Sequence, residues 1–312
     1  MIIRDIVVPT ECGGWRLDHF LKRRIGRLSR TRIQSIIDEQ IFLPDGRRAR
    51  PSSTVRAGET IQLRRPPPVE PPVPRHFEIL YQDESVLCID KPAGLPMHTT
   101  AKFWRNTLTA LLRERYPGVQ MEIAHRIDRE TSGALLVARN RTAASKLTQA
   151  FARRDVDKTY LALVKGHPPD EGRIDVPLTL LDTPSHVMMG PAPAGITGLP
   201  AVTRFRVRRR FAAHALCEAS PETGRQHQIR VHFAHLGHPI LGDKLYGAGE
   251  SLFMRACEGP LTPELLASFD GLARHALHAH RLTFPHPVTG ARITVESPLP
   301  ADLQAVIEEL AI

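Results

Sequence analysis

Cysteine is scarce in this 312-residue chain, and the four present, Cys12, Cys88, Cys217 and Cys257, lie far apart and form no CxxC pair. That argues against a disulfide framework and a cysteine-built zinc site. No stretch approaches the roughly 18 consecutive apolar residues of a membrane-spanning helix. The opening Met1-Ile2-Ile3-Arg4-Asp5 has no basic region leading into a long apolar run. No secretory signal is therefore expected, and the chain reads as a reduced, soluble, cytoplasmic protein. Acidic residues fall short of basic ones, 33 against 42, leaving a net charge of +9. Such an excess points to a polyanion, either nucleic acid or an anionic membrane surface, and does not choose between them. What is present is ordinary for a globular protein, with 42% hydrophobic and 24% charged residues. A real core is expected, and the length suits one large domain plus a small one.

The positive charge is uneven. Residues 1–65 hold 14 Lys/Arg and 7 Asp/Glu, a net of +7, whereas residues 66–312 hold 28 and 26, a net of +2. Between them, residues 66–75 carry six prolines in ten positions. Such a run cannot join a helix or a central strand and favours an extended, semi-rigid spacer. The chain is accordingly divided into a small domain, residues 1–65, a linker, 66–75, and a large domain, 76–312.

In the small domain, Leu17, Phe20, Leu21 and Ile25 recur at helical spacing within Trp15–Arg27, with Lys22, Arg23, Arg24 and Arg27 on the other face. Ser29 reads as the N-cap of a second helix whose apolar positions are Ile33, Ile36 and Ile37. Arg30 and Arg32 stand in its first turn, where cations oppose the helix dipole unless an anion such as phosphate is to sit there. Pro44-Asp45-Gly46 signals a turn, and Thr60–Leu63 alternates like a strand. By charge alone this is either a solvated basic face or a nucleic-acid surface. The order Trp15-Arg16-Leu17-Asp18-x-Phe20-Leu21, Leu28-Ser29-Arg30-x-Arg32-Ile33-Gln34, Asp45-Gly46 and Ala57-Gly58-Glu59-x-Ile61 resembles the S-four-type RNA-binding domain, with Leu43-Pro44-Asp45-Gly46 replacing the usual valine-asparagine-glycine turn. The resemblance implies an RNA surface that includes Arg16, Lys22, Arg23, Arg30 and Arg32.

From His76 onward, short strands and helices alternate. Val86-Leu87-Cys88-Ile89 reads as a strand leading into the turn-rich Asp90–Pro96, and Thr107–Tyr116 as a helix ended by Pro117-Gly118. The polar loop Ala124–Gly133 feeds a strand at Ala134–Ala138. Asp128 lies there between Arg126 and Arg129, cations that would depress its pKa and keep it an anionic nucleophile or base. On spacing alone, a surface loop with local ion pairs is equally admissible. Two histidine groups, His227, His232, His235, His238 and His275, His278, His280, invite a metal reading, but no HExxH pattern or paired cysteine accompanies them. Asp182–Pro200 reads as a long Gly/Pro-rich loop. Arg204, Arg206 and Arg208 alternate with Phe205 and Val207, a cationic strand face suited to a phosphate backbone.

His125-Arg126-Ile127-Asp128-Arg129-Glu130-Thr131-Ser132-Gly133-Ala134-Leu135-Leu136 resembles the signature of the Rlu-type pseudouridine synthases. Tyr81-Gln82-Asp83-Glu84 with Asp90-Lys91-Pro92-Ala93-Gly94, then Lys158–Gly166, Thr223–His232, Gly237–Asp243 with Tyr246-Gly247, and Leu277–Phe284 follow in that family's order. The match spans about residues 15–65 and 77–297. It implies an α+β catalytic domain on a mixed, largely antiparallel sheet, plus a small N-terminal α/β RNA-binding domain.

The resemblance implies an isomerase that converts uridine to pseudouridine in structured RNA. Large-subunit ribosomal RNA is the first expectation and transfer RNA the runner-up. Asp128 would be the nucleophile or base acting on a flipped-out uridine, with Arg230 its ion-pair partner. Tyr160 would stack on the base, and its hydroxyl would be available to the carbon-five proton. Arg126 would fill the vacated space or hold a phosphate, while His125 and Arg225 support the site. No step needs redox chemistry, a metal or an activated donor, so no cofactor is expected. A monomer without membrane association is expected. Two rival readings are weighed. A catalytically silent RNA-binding or ribosome-assembly factor is disfavoured because Asp128, Tyr160 and Arg230 are all present. A base-releasing glycosidase lacks its paired carboxylates.

Overall fold

The structure is a computed structural model describing residues 2–25, 29–66, 69–100 and 102–311. The chain divides into two compact units, Met1–Val69 and Glu70–Ile312. Arg27 and Leu28, at the end of the first expected helix and the start of the second motif, and Pro67 and Pro68 of the linker, lie outside the described residues. Among the described residues, no helix is long and apolar enough to cross a membrane.

The first unit contains β1 (Ile2–Val7), α1 (Leu17–Ile25), α2 (Arg30–Gln40), β2 (Ile41–Phe42) and β3 (Thr60–Arg65). β3 pairs antiparallel with both β1 and β2. Leu17, Phe20 and Leu21 of α1 and Ile33 and Ile37 of α2 are buried against Ile41, Val55 and Ile61. Ser29 caps α2, its Oγ accepting from the Arg32 N–H at 3.2 Å. The helical spacing holds except at Ile25, which is exposed. α1 starts later than the spacing suggests, because Arg16 pairs across an isolated bridge with Thr54.

The linker reading needs correction over its second half. The Glu70 carboxylate accepts from the backbone N–H groups of Trp104, Arg105 and Asn106. Arg75 donates to Asn106 at 3.0 Å and to Glu114 at 2.6 Å, and the Asn106 side-chain amide donates to the Pro71 carbonyl. Residues 70–75 are therefore fastened along the second unit instead of serving as a spacer. Three backbone donors converging on one carboxylate supply the reason.

The second unit begins with β4 (Glu78–Gln82), β5 (Val86–Lys91), α3 (Leu108–Arg115), β6 (Glu122–Ile123), β7 (Ser132–Ala138), α4 (Arg141–Ala152) and β8 (Asp157–Lys165). It continues through β9 (Glu171–Asp175), β10 (Leu178–Leu180), β11 (Met189–Pro191), β12 (Val202–Arg210), β13 (His214–Pro221) and α5 (Gln228–His235). α6 (Glu250–Glu258), α7 (Pro263–Ala267), β14 (Leu277–Pro285), β15 (Arg292–Glu296) and α8 (Ala301–Glu309) complete it. Among the described residues one ten-stranded sheet runs β4-β5-β7-β14-β8-β13-β12-β9, with β6 on β7 and β15 on β14. Every pairing is antiparallel except β7 with β14. This is the expected α+β architecture on a largely antiparallel sheet.

Both faces of the central strands are covered, which explains their unbroken apolar runs. Leu87, Ile89, Leu135 and Val137 face a core shared with Leu108, Leu111 and Leu112 of α3. Val86, Cys88, Ala134, Leu136 and Ala138 face the opposite core, closed by Ala143, Leu147 and Ala150 of α4. The caps follow local chemistry: Thr107 Oγ1 accepts from the Ala110 N–H, and Asn140 Oδ1 from the Ala143 N–H.

Two further expectations change. The Asp182–Pro200 segment is not a structureless loop, because β11 lies inside it and pairs antiparallel with β10. Met189 is buried there, and its N–H donates to the Tyr246 hydroxyl at 3.0 Å. The arginine face of β12 alternates as expected, but Arg204 pairs with Glu222 at 2.6 Å and Arg208 with Glu218. Carboxylates of β13 and of the residue just after it, Glu218 and Glu222, thus neutralise two of the three arginines.

Candidate active site

β7 meets β14 in parallel for only two residue pairs, His278 with Ser132 and Ala279 with Gly133. Gly133 has φ +114°, and a Cβ there would lie 2.2 Å from the Ala279 carbonyl oxygen, so the approach of the two strands requires glycine. The loop that carries Asp128 enters β7 at this junction and is tied down on several sides. Thr131 Oγ1 bonds His275 Nε2 at 2.8 Å, and Ser132 Oγ bonds His278 Nδ1 at 2.9 Å. Glu130 takes the Lys244 ammonium at 2.5 Å. The fully buried Lys91 donates to the carbonyls of Pro92, Leu95 and Arg129. Burial, only partly offset by the Asp128 charge, lowers the Lys91 pKa to about 7.

Asp128 does not pair with its sequence neighbours. Arg129 turns to Glu130 at 3.1 Å, and Arg126 stands exposed on a pocket wall. The partner is Arg230 of α5, whose Nη1 donates to Asp128 Oδ2 at 2.8 Å. The same guanidinium grips Asp243 with two further bonds, Nε to Oδ2 at 2.6 Å and Nη2 to Oδ1 at 2.9 Å. Asp243 is fully buried and also accepts the N–H groups of Leu245 and Tyr246, each at 3.0 Å. Arg230 is thus locked from behind and presents one N–H edge to Asp128. Burial alone would raise the Asp128 pKa, but the Arg230 charge and hydrogen bond, together with His227 and His275, outweigh it and hold the carboxyl at about 2. Asp128 is ionised across the physiological range, and about a fifth of its side chain remains accessible.

That carboxylate opens into a pocket of about 470 Å³, lined by Arg126, Tyr160, Arg225 and His227 among others. This volume lies within the ordinary range for small-molecule sites. Tyr160 projects from β8, and burial first, then the Asp128 charge, pushes its phenol above the ordinary value. The phenol is therefore neutral at neutral pH, and its ring forms part of the pocket wall. His227, in the left-handed region at φ +56°, bonds the Tyr246 hydroxyl at 2.8 Å and sets Nε2 3.9 Å from Asp128. Burial holds its pKa down at about 4, so the imidazole is neutral at neutral pH.

The remaining sequence candidates fall nearby but are otherwise engaged. His125 lines the pocket, yet its Nε2 accepts the Leu136 N–H at 3.1 Å, so it braces the strand after the loop. Arg225 donates from Nε to the Pro200 carbonyl at 3.0 Å. In the first unit, Arg16 makes two bonds to buried Asp18, with Arg30 3.7 Å from the same carboxylate, and Arg23 lies over the Trp15 ring. Sequence reasoning did not place Asp243, Tyr246, His227 or Lys91 among the site residues, although their contacts hold the pocket together. All four sit inside the matched motifs, which was the available signal. The histidines are committed elsewhere: His232 bonds Thr203, His238 the Lys165 carbonyl and His280 the Ser297 carbonyl. Among the described residues, no group of three His, Cys, Asp or Glu is arranged to hold a metal ion.

Comparison with known proteins bears on the same residues. The RNA pseudouridylate synthase family profile matches residues 85–235. A ribosomal large subunit pseudouridine synthase D of Xanthomonas campestris is 39% identical, covering 99% of this chain and 92% of the relative. Its namesake from Pseudomonas aeruginosa is 35% identical over 97% and 94%. Among solved structures, human RNA pseudouridylate synthase domain containing 1 superposes with a TM-score of 0.58 at 27% identity, over 78% of this chain and 97% of that one. The pocket, its carboxylate and its buried arginine all stand on the matched stretch, and with relatives this similar over nearly its full length the chain belongs to the RNA pseudouridine synthases.

Proposed function

We propose that this enzyme isomerises specific uridines of large-subunit ribosomal RNA, with Asp128 as the nucleophile or base that acts on a flipped-out nucleoside. The observation that carries the reading is the Asp128–Arg230–Asp243 chain at the pocket, an ionised carboxylate held by a guanidinium that is itself immobilised. The names of the relatives support the ribosomal substrate. In the reaction the bond between the ribose and uracil N1 breaks and a bond to carbon five forms. Carbon five releases a proton and N1 gains one, so atoms and electrons balance without a cofactor. The uridine must leave its stack to reach the pocket. Tyr160 then offers its ring face to the base, and base–aromatic stacking is worth about 1–3 kcal/mol. Arg126, exposed on the pocket wall, occupies the place vacated by the base or holds a neighbouring phosphate. His125 and Arg225 support the site through the backbone.

We read residues 1–65 of the first unit as an S-four-type RNA-binding domain. Arg30 and Arg32 stand in the first turn of α2, which holds no acidic residue, and Arg16, Lys22 and Arg23 lie on or beside α1. The test maps pseudouridines in ribosomal and transfer RNA from cells with and without the gene. Loss of one or more sites in large-subunit RNA is expected, and loss confined to transfer RNA would move the substrate there. Complementation with Asp128→Asn should bind RNA and restore no site; a fully active variant removes Asp128 from the mechanism.

A further inference from the structure

Two cations on the pocket wall have no part in the chemistry described above. Lys158 precedes Tyr160 by two residues on β8, so strand alternation puts both side chains on one face, and both line the pocket. Its Nζ donates to the Thr223 carbonyl at 3.0 Å. Burial lowers its pKa to about 8, and among the described residues no carboxylate offsets that loss.

Arg154 is the second. At the end of α4 the Asp155 N–H bonds the Ala150 carbonyl at 2.9 Å and the Arg154 N–H bonds the Phe151 carbonyl at 3.1 Å, with Arg154 at φ +60°. That turn ordinarily takes glycine, because a Cβ is strained in the left-handed region. Here the position carries an arginine, exposed and lining the same pocket. The wall is strongly cationic: Arg126, Arg154, Lys158 and Arg225 stand against Asp128 and Glu222, and Glu222 is already paired with Arg204.

We propose that Arg154 and Lys158 form the subsite for a phosphodiester beside the flipped-out uridine. The inference rests on the reading that this pocket takes a uridine in RNA. A strand that turns one base into a pocket brings its own phosphates to the mouth. Such an anion supplies the charge that Lys158 lacks and gives the Arg154 guanidinium a two-pronged partner. Backbone strain kept at a position that binds ligand is then explained by the ligand.

The test compares initial rates of pseudouridine formation in unmodified large-subunit ribosomal RNA transcribed in vitro, at several KCl concentrations. The proteins are the full chain and its Arg154→Gly, Arg154→Lys and Lys158→Met variants. Arg154→Gly should raise the thermal midpoint by about 2–4 °C, as relief of backbone strain does in a domain of this size. It should also raise KM by about tenfold at low salt and reduce the slope of log KM against log salt by roughly 0.7–0.9. Arg154→Lys should keep most of the affinity, and Lys158→Met should resemble Arg154→Gly in KM. Unchanged KM and salt slope in Arg154→Gly and Lys158→Met, beside an active wild type, would overturn the subsite and leave the reaction standing. A fall in kcat at constant KM in Lys158→Met also overturns it, by placing the ammonium against the uracil ring. A wild-type chain that modifies no uridine overturns the reaction and the subsite together.

Discussion

Asp128 has Arg126 two residues before it and Arg129 directly after, either of which looks in sequence like its counterion. The guanidinium that holds it comes instead from Arg230, 102 residues away. Adjacent residues on a tight loop point in different directions, and Arg129 is drawn off by Glu130. The motif that contains Arg230 was legible; the second carboxylate behind it was not, because nothing along the chain marks Asp243 as facing Arg230. Its side chain is the most deeply buried of the three. Asp243→Asn should cost about 3–5 kcal/mol in urea unfolding, since it removes one partner of a buried ion pair. Pseudouridine formation should fall with it, although Asp243 does not line the pocket. A variant as stable and as active as wild type would show that Arg230 needs no anchor.

Most of the elements were readable, because their causes are local. Ser29 accepts an N–H from its helix as its sequence position suggests, and Leu108–Arg115 forms between a threonine cap and Pro117-Gly118. Failures came where a distant partner decides the outcome. β11 forms because β10 accepts it, and Arg204 and Arg208 of β12 lose their free charge to Glu222 and Glu218, in and just after β13. The parallel contact of β7 and β14 belongs to the same class. Gly133→Ala would drive a Cβ into the Ala279 carbonyl at a positive φ. A loss of roughly 3 kcal/mol or more is expected in thermal or urea unfolding, or failure to accumulate as soluble protein. A near-neutral result would mean that β7 and β14 can part without cost and that the loop is not positioned by their junction.

At the scale of the whole molecule, +7 of the +9 net charge lies in residues 1–65, which fold around their own core. The second unit carries its own cores and the complete pocket, while its net charge is close to zero. Deleting residues 1–65 should therefore weaken RNA binding and flatten its salt dependence, with a smaller effect on the rate at saturating RNA. A deletion that abolishes turnover at saturation while leaving affinity intact would reverse that assignment. Charge distribution and the proline run pointed to a division of the chain, and the ordered motifs, through their resemblance to a known family, implied the class of reaction and the aspartate proposed at its centre, because each is written in contiguous residues. The resemblance had already implied Arg230 as the partner of Asp128; which other charges meet was decided only by the tertiary structure. It places Arg230 between two aspartates, pairs Arg204 and Arg208 and, among the described residues, leaves Lys158 without a carboxylate, because electrostatic partnership depends on distance in space and on burial, and neither is encoded by order along the chain.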